Sequence, residues 1–194
     1  MPHELNNPKH KLQELQRVQA NATCLYSQRE VEAVLDDMAA KITLSLESAN
    51  PLLLCVMNGG LIITGCLLAR LKFPLQLDYV HATRYRNKTS GAELEWKQYP
   101  HCDLSGRTVL VLDDILDEGA TLEAIAQYCA DAGAERVLIA VLAEKSHDHK
   151  LSVVEADFVG LAAPDRYLFG YGMDYKGYLR NADGIYAVTE KDLD

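Results

Sequence analysis

The residues best placed to do chemistry lie in Val109–Thr121, which reads Val-Leu-Val-Leu-Asp-Asp-Ile-Leu-Asp-Glu-Gly-Ala-Thr. An apolar run is followed by Asp113 and Asp114, then by Asp117, Glu118, Gly119, Ala120 and Thr121. Carboxylates at the carboxyl end of a buried strand can accept hydrogen bonds from sugar hydroxyls or sit near a metal ion, and Asp117 falls at the same edge. A helix starting at Thr121 presents unpaired N–H groups and the positive end of its macrodipole to an anion. Gly119 lets the backbone come close to that anion, and the Thr121 hydroxyl adds a donor. The stretch therefore suits one phosphate, one sugar and one spare carboxylate. The alternative is that three aspartates solvate a surface turn.

The elements that must hold these groups follow from hydrophobic patterning. Val109–Leu112 has the unbroken apolar character of a strand buried on both faces, and Thr121–Ala132 has helical spacing ending at Gly133, a fitting C′ residue. Ser105-Gly106-Arg107 turns the chain into that strand. Earlier, Leu52–Met57 forms a second buried strand that runs into Asn58-Gly59-Gly60 and a helix over Leu61–Leu71. This repeats the strand, glycine turn and helix order, and offers more amides at the same sheet edge; a plain tight turn is the alternative. Ser27 and Glu30 form a capping box, after which Val31, Val34, Leu35, Met38, Ile42 and Leu46 share one helical face. Leu75, Leu77 and Tyr79 alternate with polar residues as in a half-exposed strand, and Val137–Ala143, Phe158–Gly160 and Ile185–Val188 are further strands. Met1–Ala22 is charged and Gln-rich with some helical spacing, either frayed or docked.

Three other stretches have chemical potential. Thr83–Glu93 carries Arg84, Tyr85, Arg86 and Lys88, which suit an anion or a base; a solvated hairpin is the alternative. Lys145, just past a strand, points toward the crevice of Asp117 or is simply a surface lysine. Asp165–Tyr175 is aromatic and glycine-punctuated, either a purine slot with a carboxylate at Asp174 or an aromatic subcore. His147-Asp148-His149 lacks further metal ligands and reads as a solvated loop.

Composition narrows the classes. An apolar content of 48% over 194 residues supports one domain, residues 1–194 with a core of about 28–188. No apolar window is long enough to span a membrane and the polar start lacks a signal-peptide core, so a soluble, cytoplasmic protein is expected. Cys24, Cys55, Cys66, Cys102 and Cys129 are scattered without Cys-x-x-Cys spacing, which indicates neither a disulfide framework nor a zinc site. A net charge of -9 speaks against a nucleic-acid surface, and any anion site must work through backbone amides, Mg²⁺ and a few basic side chains.

The Asp-Asp strand end followed by Asp117-x-Gly119-x-Thr121 resembles the phosphoribosyl-diphosphate signature of the type I phosphoribosyltransferases. Asp-Phe-Val-Gly at 157–160 and Tyr171–Tyr175 are similar to the 6-oxopurine branch, the hypoxanthine-guanine phosphoribosyltransferases, over roughly Leu52–Val188. The resemblance implies a doubly wound, mostly parallel α/β sheet with helices on both faces and a small hood from the terminal segments. It implies transfer of the 5-phosphoribosyl group from phosphoribosyl diphosphate to hypoxanthine or guanine, with Mg²⁺, in a homodimer or homotetramer. Asp113 and Asp114 would hold the ribose hydroxyls and the metal side, Glu118, Gly119, Ala120 and Thr121 would cradle the 5-phosphate, and Asp117 would be the catalytic acid/base toward purine N7. Lys145, Tyr167 and Leu168 would recognise the purine, Asp174 would sit on Mg²⁺, and Asn58, Gly59 and Arg180 would receive pyrophosphate. Arg84 and Tyr85 would belong to a lid. The chain departs from the family pattern at Asn58, where a basic residue is common, at Arg84 where serine is common, and at Glu118 and Ala120 in the phosphate loop; a carboxylate facing a phosphate repels it. A xanthine-preferring enzyme and a non-catalytic sensor of phosphoribosyl diphosphate are the competing readings. A receiver-like signalling domain also pairs aspartates with a lysine, but leaves the Arg84 loop and the aromatic tail unexplained.

Overall fold

In the computed structural model, which describes residues 8–84, 94–146 and 152–193, the elements run α1 (Pro8–Asn21), β1 (Thr23–Tyr26), α2 (Gln28–Leu46), β2 (Leu52–Val56), α3 (Leu61–Leu68), β3 (Gln76–Arg84), β4 (Leu94–Gln98), β5 (Thr108–Leu116), α4 (Ala120–Asp131), β6 (Arg136–Lys145), β7 (Phe158–Ala163), β8 (Leu168–Phe169) and β9 (Ile185–Ala187). The chain divides into two compact units, residues 32–165 and residues 1–31 with 166–194.

The larger unit holds a six-stranded sheet of order β4-β3-β2-β5-β6-β7. It is parallel throughout except where β4 returns along β3 as an antiparallel edge. The chain builds outward from β2 to one edge, then returns to the middle at β5 and builds to the other. The boundary between β2 and β5 is thus the topological switch point, where open α/β sheets leave a crevice at the carboxyl ends of their strands.

Burial explains why the strands are continuous apolar runs. All five residues of β2 are buried, because both faces of the sheet are covered. One face packs Leu52, Leu54, Val56, Val109, Val111, Ile139 and Val141 against Leu122, Ile125 and Cys129 of α4. The alternate positions, such as Leu53, Leu110 and Leu142, are equally buried on the opposite face. There α2 lies over β7 so closely that a Cβ on Gly160 would meet the Leu142 carbonyl and the Val34 and Met38 side chains. Arg70, after α3, joins Asp36 at 2.7 Å and Glu32 on α2. Each fully buried aliphatic side chain contributes about 1.5–3 kcal/mol to holding these layers. The expected doubly wound, mostly parallel sheet with helices on both faces is the observed one.

The smaller unit is an antiparallel three-stranded sheet, β1-β9-β8. Its core gathers Leu15 and Val18 of α1 with Phe169, Tyr175 and Val188. α1 is therefore a docked helix, with Leu15 and Val18 buried. Ser27 and Glu30 do pair, both the Ser27 N–H (2.8 Å) and its hydroxyl (2.6 Å) donating to Glu30 Oε2 at the start of α2.

Boundaries differ from the sequence expectation most where strands run past their apolar residues. β5 runs four residues past Leu112, β3 reaches Arg84, and β6 and β7 reach Lys145 and Ala163. Polar residues end the apolar run without ending the pairing, since Leu116 still pairs with Glu144 on β6. α3 stops at Leu68, short of Leu71. β1, β4 and β8 had no sequence expectation; they are short or carry Lys97, Glu95 and Gln98 on an edge. All five cysteines are free thiols, Cys55 and Cys129 buried and Cys24 exposed.

Candidate active site

The crevice at the switch point is made by unequal strand ends. β2 pairs with β5 only as far as Cys55 and Leu112, whereas β5 continues beside β6 to Leu116. Asp113 and Asp114 are therefore strand residues, as expected of a strand end, with β5 running two residues beyond them, and they sit where the β2 side of the sheet has already turned away. Into that gap comes the Asn58-Gly59-Gly60 turn. A Cβ on Gly59 would lie 2.6 Å from the Asp114 Cγ, and one on Gly60 would meet the Leu112 and Val56 carbonyl oxygens. Gly60 lets one backbone pass directly over the other, and Gly59 leaves room for the Asp114 carboxylate. The Met57–Asn58 peptide is cis.

Asp114 is almost fully buried at 7% exposure, and its N–H donates to Asp113 Oδ1 at 2.9 Å. The acidity of this corner is felt one strand away. Burial pushes the Cys55 thiol above its ordinary pKa; Thr64 opposes this, and the Asp113 and Asp114 charges raise it further.

After Leu116 the chain turns through Asp117 and Glu118 to Gly119, whose φ of 84° is left-handed and caps α4. Glycine adopts that conformation without a Cβ penalty, and a side chain there would press on Ser152 and Val154 at 3.1 Å. Ala120 and Thr121 open the helix, so their amides belong to the unpaired first turn. The cap residue, Gly119, has no side chain to offer these amides. Glu118, Gly119, Ala120 and Thr121 are all partly accessible.

Lys145 closes the other flank. Its side chain is only 12% exposed, and Nζ lies 2.7 Å from Asp117 Oδ2 and 3.7 Å from Asp165 Oδ1. β6 ends a parallel register one strand beyond β5, which brings the last residue of β6 level with the loop that leaves β5. A single ammonium thus stands between two carboxylates. Asp165 had no assigned role from the sequence; only its place at the end of the β7 segment hinted at it.

The smaller unit arranges the remaining residues in its own way. Tyr167 is 42% exposed, while Leu168, Phe169, Tyr171 and Tyr175 are buried. The aromatic segment is therefore mostly a subcore, with one ring left accessible. Tyr167 meets Tyr175 edge-on at 5.6 Å and 66°, and Phe169 stacks on Tyr186 at 5.3 Å. Asp174 Oδ1 is ion-paired with Arg180 Nη2 at 2.7 Å, and Asp174 Oδ2 accepts the Gly177 N–H at 2.6 Å. Arg180 also donates to the Gly172 carbonyl.

Of the residues expected in a lid, Arg84 is the last residue of β3, and Tyr85 lies outside the described residues, as do Arg86, Lys88 and His147–His149. Among the described residues no group of three or more His, Cys, Asp or Glu forms a metal cage. A Mg²⁺ held by one or two carboxylates and by the phosphates of a substrate needs no such cage, and the all-oxygen donors Asp113 and Asp114 suit that hard cation. No described helix is long and apolar enough to cross a membrane.

Comparison with known proteins gives a consistent result. A family model described as phosphoribosyl transferase domain matches residues 21–175. The chain is 29% identical over 166 residues to the hypoxanthine-guanine-xanthine phosphoribosyltransferase of Tritrichomonas foetus, spanning 86% of this chain and 91% of that protein. It is 29% identical over 158 residues to the hypoxanthine-guanine phosphoribosyltransferase of Bacillus subtilis, spanning 81% and 87%. A crystal structure of a hypoxanthine phosphoribosyltransferase from Staphylococcus aureus superposes with a TM-score of 0.84 at 21% identity, covering 98% of this chain and 100% of that one, a likeness of fold.

Proposed function

Because this chain belongs to the phosphoribosyl transferase domain family, we propose that it is a purine salvage enzyme. It transfers the 5-phosphoribosyl group from phosphoribosyl diphosphate to hypoxanthine or guanine, yielding IMP or GMP and pyrophosphate. The observation that carries this reading is the switch-point crevice, where Asp113 and Asp114 extend past β2 beside a glycine-headed helix and a Lys145–Asp117 pair. The names of the two relatives at 29% identity support the base class.

In this reading the amides of Gly119, Ala120 and Thr121 bind the 5-phosphate, with the Glu118 side chain turned from it. Asp113 and Asp114 accept hydrogen bonds from the ribose hydroxyls and would help to hold Mg²⁺. Asn58 and Gly59 receive the departing pyrophosphate by backbone donors, and Arg180 adds a positive charge once its bond to Asp174 is exchanged. Asp174 is then available as a further metal-side carboxylate. Mg²⁺ bound to the diphosphate would neutralise its charge as the leaving group departs.

Displacement at C1 of the ribose develops oxocarbenium character, which fixed dipoles and carboxylates stabilise better than water does. Asp117 exchanges a proton with purine N7 as the base becomes bonded to the sugar. Lys145, released from Asp117, donates to the exocyclic O6, which a 6-oxopurine offers as an acceptor and an amino group does not. Tyr167 stacks on the base and Leu168 meets its edge through the backbone. Arg84 and Tyr85 contribute to a lid that keeps water from the reactive sugar. Homodimers or homotetramers and a cytoplasmic setting complete the proposal.

Xanthine is kept as a second base because the Tritrichomonas relative is named for it. The test is an ultraviolet assay with phosphoribosyl diphosphate, Mg²⁺ and each of hypoxanthine, guanine, xanthine and adenine. Product from hypoxanthine or guanine is expected, and Lys145→Ala should weaken use of both by about tenfold or more. Product from xanthine or adenine alone overturns the base assignment. Silence with all four, beside measurable binding of phosphoribosyl diphosphate, would favour a sensor.

A further inference from the structure

None of the proposed chemistry uses α1, yet this helix is tied by charge to the segment that carries Tyr167. Tyr175 is the centre of the tie. It is 1% exposed, and its hydroxyl lies 2.9 Å from the Asp192 carbonyl oxygen and 3.2 Å from Glu14 Oε1, sharing one proton between them. Glu14 also accepts from Lys11 Nζ at 2.9 Å and from Lys176 Nζ at 3.2 Å. Both ammonium groups lie against the Tyr175 ring, at 5.8 and 5.1 Å from its centroid. Asp192, whose carbonyl takes the same hydroxyl, is itself held through its carboxylate by Arg17, Asn21 and Thr189.

What Tyr175 supports in turn is Tyr167. The two rings meet edge to face, and the Tyr167 oxygen lies 3.4 Å from the Lys176 N–H. One carboxylate on α1 thus fixes both the ring behind Tyr167 and the side chain of the residue whose backbone meets its hydroxyl. Edge-to-face packing sets the tilt of the accessible ring, and a stacking platform is only as well oriented as the ring behind it.

We propose that Glu14 is a positioning residue for Tyr167, acting through the ring and hydroxyl of Tyr175, and so a remote determinant of purine affinity. This rests on the reading of Tyr167 as the purine-stacking ring. Lys11 foremost, opposed by partial burial and helped by Lys176 and Tyr175, holds the Glu14 carboxyl down at about 2, so the charge is present throughout the neutral range.

The experiment uses full-length protein labelled with 3-fluorotyrosine, the Tyr167 resonance being assigned from its loss in Tyr167→Phe. In Glu14→Ala the Tyr167 resonance should shift or broaden, and KM for hypoxanthine should rise about three- to tenfold while kcat and KM for phosphoribosyl diphosphate stay within about twofold. Glu14→Gln keeps an oxygen acceptor for the Tyr175 hydroxyl and should fall between wild type and Glu14→Ala. If Glu14→Ala does not hold its fold, Glu14→Gln and Tyr175→Phe carry the same comparison. An unmoved Tyr167 resonance overturns the proposal, and so does a resonance that moves while purine KM stays at the wild-type value. A wild-type protein that uses none of the four bases while its Tyr167 resonance still follows Glu14 would remove the proposed function and leave the positioning relation standing.

Discussion

The sheet-end crevice and the aromatic segment of the smaller unit hold their polar groups by opposite means. In the crevice the backbone does most of the holding, the ion pairs of Lys145 with Asp117 and Asp165 apart. Gly59, Gly60 and Gly119 permit close approaches and one left-handed turn, and each candidate residue lies within a few positions of the element that aims it. In the smaller unit side chains do the holding, across gaps of 161 residues for Glu14 to Tyr175 and 175 for Arg17 to Asp192. A backbone-held site tolerates few substitutions at its glycines, whereas a side-chain-held platform should lose orientation by degrees.

The largest effect expected is at Asp117. Asp117→Asn should lower kcat by about 10²- to 10⁴-fold if it exchanges the purine proton. A steady-state assay with saturating hypoxanthine measures this, and a loss under about tenfold would remove it from the chemistry. Gly59→Ala comes next, because its new Cβ has no room beside the Asp114 carboxylate. We expect kcat/KM for phosphoribosyl diphosphate to fall by roughly 10²-fold, with purine binding less affected, as a misplacement of about 1 Å costs near a reacting centre. Equal losses toward both substrates would break the contrast between the two regions.

Tyr175→Phe probes the other side. Removing a buried hydroxyl that two acceptors share should cost about 1–3 kcal/mol of stability, read as a lowered thermal midpoint. KM for phosphoribosyl diphosphate should hold. The smallest effect expected is acid-dependent. Glu14 faces Lys11 from its own helix and Tyr175 and Lys176 from the segment packed on it, and its folded pKa of about 2 lies below the ordinary 4.5. Above pH 4.5 the carboxyl is ionised folded and unfolded, and its stabilisation is fully present. Between 4.5 and about 2 only the unfolded chain takes up the proton, so that stabilisation fades as pH falls and is gone below about 2. Denaturant titrations of wild type and Glu14→Gln should converge over that window; curves that stay parallel would deny Glu14 its depressed pKa.

The same contrast governs what could be read before the fold was known. The strand, glycine and helix order around Asn58–Gly60 and Asp113–Thr121 has a local cause, so the central strands, α4 and its Gly133 terminus were legible. The reach of β5 past Leu112 was not, because an aspartate pair looks like the end of a strand when only hydropathy is read. Pairing continues there because β6 supplies a partner out to Glu144. In Asp165–Tyr175 the sequence offered a purine slot or a subcore, and burial of Phe169, Tyr171 and Tyr175 gives mostly the subcore, with Tyr167 accessible. That α1 would anchor the segment had no local signal. Leu15 and Val18 promise an apolar face, but nothing near Glu14 names a partner beyond residue 170.

The smaller unit also imposes an order of events on synthesis. Every strand of the six-stranded sheet has left the ribosome once Ala163 has emerged, and a unit of that kind can fold as it appears. β1 and α1, made first, must wait for β9 and for Asp192 before their hydrogen-bonding and ionic partners exist. α1 is thus made before the six-stranded sheet yet finds its place after it, and a nascent chain carries Leu15, Val18 and the β1 edge uncovered until β9 has been made.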